Sequence, residues 1–262
     1  MTTAQIANLG PRLIRALSLE AIAKMTVEQI GSLSASQVEQ LTMNQADALS
    51  DAQLEPLISS NKFDNLFLSP ITLDLNGNQK LSVSVNQGVH FDLKASGSLL
   101  KTGWVESGDG LLAMDRNGDG IINSGAELFG NSTRLPNGKP AANGFAALSA
   151  LDANQDKVID AKDAAWSKLK VWIDRNSDGK TDPGELVSLD NVGITSLRLG
   201  AKSSTATENG NKVALISSYA KTDGSHGLMA DVWFRTKSAD APEVKIVGGA
   251  DSVDHTGIIA GS

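Results

Sequence analysis

Three stretches decide the reading of this chain: 115-DRNGDGIINSGAE-127, 152-DANQDKVIDAKD-163 and 174-DRNSDGKTDPGE-185. Each sets carboxylate or amide oxygens at every second position, and a tight loop turns such a series inward around one point. That is the donor set of a hard divalent cation, with calcium as the expected ion. In the third stretch Asp174, Asn176 and Asp178 fill positions 1, 3 and 5, and Gly179 supplies the turn at 6. Lys180 offers its carbonyl at 7, Asp182 stands at 9 and Glu185 closes at 12.

The second stretch supplies Asp152, Asn154, Asp156, the carbonyl of Val158, Asp160 and Asp163. Its turn position is Lys157, where a left-handed backbone costs a non-glycine residue about 1 kcal/mol. The first stretch places Asp115, Asn117, Asp119, Ile121 by its carbonyl, and Asn123, but its acid arrives one residue late, at Glu127. A thirteen-residue loop accommodates it. Asp, Asn and Gly favour turns without any metal, but three such loops in one short span favour ligation. At position 8, where loop packs on loop, stand Ile122, Ile159 and Thr181. The two isoleucines are expected to belong to one pair of loops.

Composition narrows the class. A formal charge of −7 over 262 residues disfavours nucleic acid, whose phosphates need a basic face. There is no cysteine, so disulfides and thiolate metal sites are excluded. His90, His226 and His255 form no metal-binding or catalytic cluster. No apolar run reaches membrane length, and MTTAQIANLGPRLIRALSL lacks the apolar stretch of a secretory signal peptide. Trp104, Trp166, Trp172 and Trp233 lie among apolar neighbours and are expected to anchor a core.

Residues 1–60 form a different object. A unit of eight recurs, with Ser18, Thr26, Ser34, Thr42 and Ser50 in register and Leu17, Met25, Leu33, Leu41, Leu49 and Leu57 beside them. Ile22, Ile30, Val38, Ala46 and Leu54 lie between. Gln29, Gln37, Gln45 and Gln53 come three residues after the hydroxyl, the spacing of a capping box. On one continuous helix an eight-residue period drifts by about 80° per unit, so a stack of very short helices is expected instead. Such a stack is either a spacer or partner-binding arm, or a passive cap on the neighbouring domain. Asn61 to Ser69 reads as a connector.

From Pro70 the pattern turns to strands and turns. ITLDLNG, KLSVSV and VHFDL, then GITSLRLG, KVALISSYAK and GLMADVWFRT, alternate as strands, while GFAALSAL and AKDAAWSKL have helical spacing. The expected fold class is α+β: a short-helix repeat segment and then a mixed strand and helix domain over 70–237 that carries EF-hand-like calcium loops. Residues 238–262 are small and polar and read as a flexible tail.

The run SPITLDLNG, FDL, KTGWV, DGLLAMDRNGDGIINSGAELFG, NGFAALSALDANQD, VWIDRNSDGKTDPGEL and ADVWF resembles the calcium-binding, self-processing module of FrpC-like RTX proteins, which Gram-negative bacteria export by type I secretion. The eight-residue units resemble arrays in large bacterial secreted proteins. The resemblance implies a secreted protein whose module folds on extracellular calcium. It also implies cleavage of an Asp-Pro bond at the module's amino edge, where the aspartate carboxylate attacks its own carbonyl. This chain has Ser69-Pro70 at that place. The nucleophile is missing, so the expectation is a non-enzymatic calcium-binding module. The alternatives are a module that still cleaves itself and an adhesion module acting through the repeats. Two further acid-rich turns of the family stand here as LDLNGNQK around Asp74 and FDLKASG around Asp92, with Lys94 and Ser96 in place of acids. Asp74 is left with a weak site or none, and the Lys94 ammonium argues against one at Asp92.

Overall fold

The computed structural model describes residues 1–60 and 67–237; the tail expected over 238–262 and most of the connector lie outside them. Short helices of four or five residues run Thr3–Ala7, Pro11–Arg15, Leu19–Ala23, Val27–Gly31, Ala35–Val38 and Met43–Asp47. A longer one spans Asp51–Ser59. All but one start on a hydroxyl: Thr2, Thr26, Ser34 and Thr42 form complete capping boxes with the glutamine three residues on, Ser18 caps through Ala21 N–H and Ser50 through Gln53 N–H, whereas Pro11–Arg15 starts at Gly10 with proline in its first turn.

The glutamines do more than cap. Gln37 Nε2 donates to the Ile6 and Leu9 carbonyls at 3.0 and 2.8 Å, and Gln45 repeats this on Ile14 and Leu17 at 2.9 and 2.7 Å. Gln53 does so on Ala23 and Met25 at 3.1 and 2.6 Å. From the fourth onward each helix packs on the one three units earlier, while Gln37, Gln45 and Gln53 satisfy carbonyls at the helix ends four units earlier. Ile6, Ile14, Ile22 and Ile30 line the centre with Leu33, Leu49 and Leu57.

The rest is built on a strongly paired antiparallel sheet. The long strands Asn211–Lys221 and His226–Lys237 form its spine, with Ile71–Leu73, Gly110–Ala113, Lys170–Trp172 and Leu186–Ser188 ranked on one side. On the other side lie Ile194–Arg198 and Val158–Asp160. The one regular α-helix of the described part of this region, Gly144–Ser149, packs Phe145 and Leu148 into a core with Ile71, Ile159 and Leu197. The α+β class is compatible with this, although strands predominate.

A second core gathers Phe91, Trp104, Trp172 and Phe234, with ring centroids 5.2–6.1 Å apart. Trp166 is buried too and Trp233 partly so. One expectation changes here. Phe67–Leu68, read as connector, is a strand paired with Arg235 and Phe234, and Phe67 packs into the core of the helical array. Arg235 Nη2 donates to the Leu49 carbonyl at 3.1 Å, so the array is seated on the sheet's last strand.

Candidate metal centre

In each acidic loop the first aspartate accepts from the loop's own amides, and the fourth and sixth residues take left-handed backbone. In the first loop Asp115 accepts from Gly118 and Gly120 N–H at 2.7 and 2.9 Å. Asn117 accepts from Asp119 N–H, and Asp119 from Ile121 N–H. Glu127 reaches back to Arg116 N–H at 3.3 Å and Asn123 N–H at 3.0 Å. Carboxylate oxygens of Asp115, Asp119 and Glu127 all lie within 4.8 Å of one another.

The third loop repeats the scheme one residue shorter. Asp174 accepts from Asp178 and Gly179 N–H at 3.2 and 2.9 Å. Asn176 and Asp178 accept from Asp178 and Lys180 N–H. Glu185 accepts from Arg175 and Asp182 N–H at 2.8 and 3.1 Å. Glu127 thus occupies the closing position despite its extra residue, which the turn between Asn123 and Glu127 absorbs.

In the second loop Asp163 closes on Ala153 and Asp160 N–H at 3.0 and 3.1 Å. Asn154 and Asp156 accept from Asp156 and Val158 N–H. Lys157 takes φ +66° and Gln155 φ +62°, the strained conformations at the positions where the first loop has glycine. Asp152 Oδ2 accepts from Lys157 N–H at 3.0 Å, while its Oδ1 is buried without a partner. Asp160 is held by the Lys162 backbone N–H at 2.8 Å and the ammonium at 3.1 Å, which lower its pKa. That cation competes at position 9.

Trp104 Nε1 donates to Asp174 Oδ2 at 2.7 Å, and Trp172 Nε1 to Glu185 Oε2 at 3.4 Å. The aromatic core therefore touches the first and last acids of the third loop, a role beyond core anchoring that sequence spacing did not reveal. Burial raises the Asp174 pKa, and the bonds from Gly179, Trp104 and Asp178 oppose it.

Pairing of the loops departs from expectation. Ile122 and Ile159 are apart: Ile159 lies opposite Leu197 in the sheet, whereas Ile122 meets Thr181. The Ile122 N–H donates to Thr181 Oγ1 at 2.9 Å and that hydroxyl donates to the Ile122 carbonyl at 3.1 Å. The first loop is joined to the third because a threonine hydroxyl takes the place of a backbone bridge.

The residues fit a hard cation. All expected donors are oxygen, the carboxylates of Asp115, Asp119 and Glu127 in the first loop converge, and Asp152 carries an orphaned buried oxygen. Asp115, Asn117, Asp119, Ile121, Asn123 and Glu127 would hold it in the first loop, Asp152 to Asp163 in the second, and Asp174 to Glu185 in the third.

The Ser69-Pro70 bond lies elsewhere, buried between the strands Phe67–Leu68 and Ile71–Leu73, where the Pro70 carbonyl accepts from Val232 N–H at 3.1 Å. Ser69 N–H donates to Asn131 Oδ1 at 3.1 Å, and Asn131 N–H to Ser69 Oγ at 3.2 Å. A Cβ on Gly130 would stand 1.4 Å from the Ser69 carbonyl oxygen, so only glycine fits there. Fully buried Asp231 accepts from Trp233 Nε1 at 2.7 Å and Gly144 N–H at 3.0 Å, and the Ser69 hydroxyl bonds to it as well. Burial pushes its pKa up to about 6. The motif ADVWF was legible, but a carboxylate beside Ser69 was not, since more than 160 residues separate them.

Residues 71–235 match the protein family described as "SPM domain". Over 166 residues the chain is 45% identical to the iron-regulated protein FrpA of Neisseria meningitidis serogroup C, a stretch covering 62% of this chain and 15% of that protein.

Proposed function

The chain belongs to the SPM domain family, and we propose that it is a calcium-binding module of a secreted RTX-type protein, folding and stiffening on extracellular calcium. The relationship to FrpA supports the coarse placement. The convergence of Asp115, Asp119 and Glu127 carries the metal reading. Among the described residues no helix is long and apolar enough to cross a membrane.

Without a cation the carboxylates of each loop repel one another and must be held by amides alone. An ion that binds only the folded state stabilises it by RT ln(1 + [L]/Kd) per site. Extracellular modules bind calcium at about 10⁻⁴ to 10⁻³ M, which leaves this one loose inside the cell and ordered outside. The bonds from Trp104 and Trp172 give the third loop a direct line to the core. Calorimetric calcium titration tests the reading together with thermal unfolding in chelator and in millimolar calcium. Identical melting temperature and no uptake of calcium overturn it.

Self-cleavage is lost in this proposal because serine replaces the attacking carboxylate. The chain incubated with calcium stays whole on a denaturing gel, and a cut at 69/70 would refute that part. In the alternative reading, an adhesion module, the helical array is the arm through which a protein partner is contacted. Its deletion leaves calcium binding intact and abolishes retention by that partner.

A further inference from the structure

The turn at Asp92 is held in a loop shape by its own bonds, with an ammonium at the position where Asn117, Asn154 and Asn176 stand in the acidic loops. Asp92 accepts from Ser96 and Gly97 N–H at 2.9 and 2.7 Å, and Ala95 and Gly97 take φ +55° and +80°. The Ser132 hydroxyl donates to the Leu93 carbonyl at 2.7 Å, which ties the turn to the segment 131–143. Lys94 is thereby placed on the wall of a cleft of about 960 Å³ to which none of the three acidic loops contributes.

The floor of this cleft is a sheet face. Asp231 and Trp233 of His226–Lys237, Lys212 and Leu215 of Asn211–Lys221, and Ser203 of Lys202–Glu208 line it, so it crosses three paired strands. At about 4.8 Å between neighbouring strands that is about 10 Å, the length of about three extended residues. Lys212 opposes the rise in the Asp231 pKa, so these two charges offset one another at the floor. Lys94 and Arg134 on the wall have no such counterpart. Among the described residues neither forms a salt bridge, and Arg134 Nη1 donates to the Gly138 carbonyl at 3.0 Å. In a chain of net charge −7, a cleft whose uncompensated charge is positive draws anions to itself, because its low-dielectric walls concentrate the field.

The rim is open to water, since Lys94, Arg134, Ala142 and Ser203 are exposed. A small anion stays largely hydrated there, whereas a chain lying across the floor covers Leu215 and meets both cations. A sugar fits less well. The Trp233 ring packs against the core of the helical array and has the Lys212 ammonium 5.9 Å from its centroid, so it offers no open face for stacking.

We propose that this cleft binds an extended acidic segment of a protein partner, with Lys94 and Arg134 pairing to carboxylates at alternate positions and the side chain between them turned onto Leu215. Either pair alone contributes little at so exposed a rim, and binding requires both. The site uses no donor of the loops between Asp115 and Glu185, so it stands or falls apart from the calcium reading.

The test is fluorescence anisotropy of a labelled peptide of alternating glutamate and leucine, titrated with the full chain in millimolar calcium. The same peptide with glutamine for glutamate, and polygalacturonate as an acidic saccharide, are the comparison probes. Wild type is expected to bind the glutamate peptide and neither of the others. Lys94→Glu and Arg134→Glu are each expected to weaken it about tenfold. Ala142→Trp fills the cleft without changing its charge and is expected to block binding, whereas Lys168→Glu, outside the cleft, leaves it unchanged. All four positions are exposed, so each variant keeps the near-ultraviolet spectrum of wild type. No binding by wild type, equal binding of the glutamine peptide, equal weakening by Lys168→Glu, or undiminished binding by Ala142→Trp overturns the site. Tighter binding of the saccharide that is lost in the same variants overturns the peptide assignment and gives the cleft to a glycan.

Discussion

The hydroxyl of Thr181 bridges both backbone groups of Ile122, at 2.9 and 3.1 Å, and so joins two acidic loops that begin 59 residues apart in sequence. Ile122 is buried, and an unsatisfied backbone pair there is costly. The bridge makes the first and third loops one mechanical unit, so that ordering one orders the other.

Thr181→Val keeps the shape and removes the bridge. Calcium-loaded protein is expected to lose about 1–3 kcal/mol of stability, and the two loops should titrate independently. Denaturant unfolding in millimolar calcium, paired with calorimetry, reads both. An unchanged midpoint would show that the hydroxyl carries no coupling.

Lys157 adopts φ +66°, which glycine adopts without steric cost. Lys157→Gly is expected to stabilise the fold by about 1 kcal/mol and to bind calcium more tightly in the second loop. Thermal midpoints with and without calcium measure it; a lower midpoint in both conditions contradicts the strain argument.

Asp231 gives a pH signature. Its folded pKa of about 6 lies above the ordinary 3.8, so between those values the folded protein holds a proton that the unfolded chain has released. Stability from this group is present below pH ~4 and declines as pH rises to about 6, by on the order of 3 kcal/mol. Melting temperatures taken in chelator across that window should fall for wild type and stay flatter for Asp231→Asn. Parallel curves would place the titration elsewhere.

Gln45→Ala removes the cap on Thr42 together with the bonds to the Ile14 and Leu17 carbonyls. A loss of about 2 kcal/mol is expected in the array, read as faster amide exchange at helices Pro11–Arg15 and Met43–Asp47. Exchange confined to the second helix would mean that the glutamine acts only as a cap.

Local order was legible in the sequence by itself. An eight-residue period with hydroxyl and glutamine three apart dictates short capped helices, because the cap and the apolar register are both short-range. Alternating oxygen donors with glycine dictate the acidic loops for the same reason: the bonds of Asp115 or Asp174 to amides three to five residues on need nothing outside the segment. Even the strain at Lys157 comes from its place in the loop. Tertiary structure alone decided which loops meet, since position 8 offered two isoleucines and a threonine and the sheet drew Ile159 to Leu197 instead. It also decided that Gln37 and Gln45 would reach carbonyls some thirty residues earlier, that Trp104 and Trp172 would bond to loop acids, and that Asp231 would face Ser69. Those contacts depend on chain segments brought together by burial of a shared core, and no local spacing encodes them.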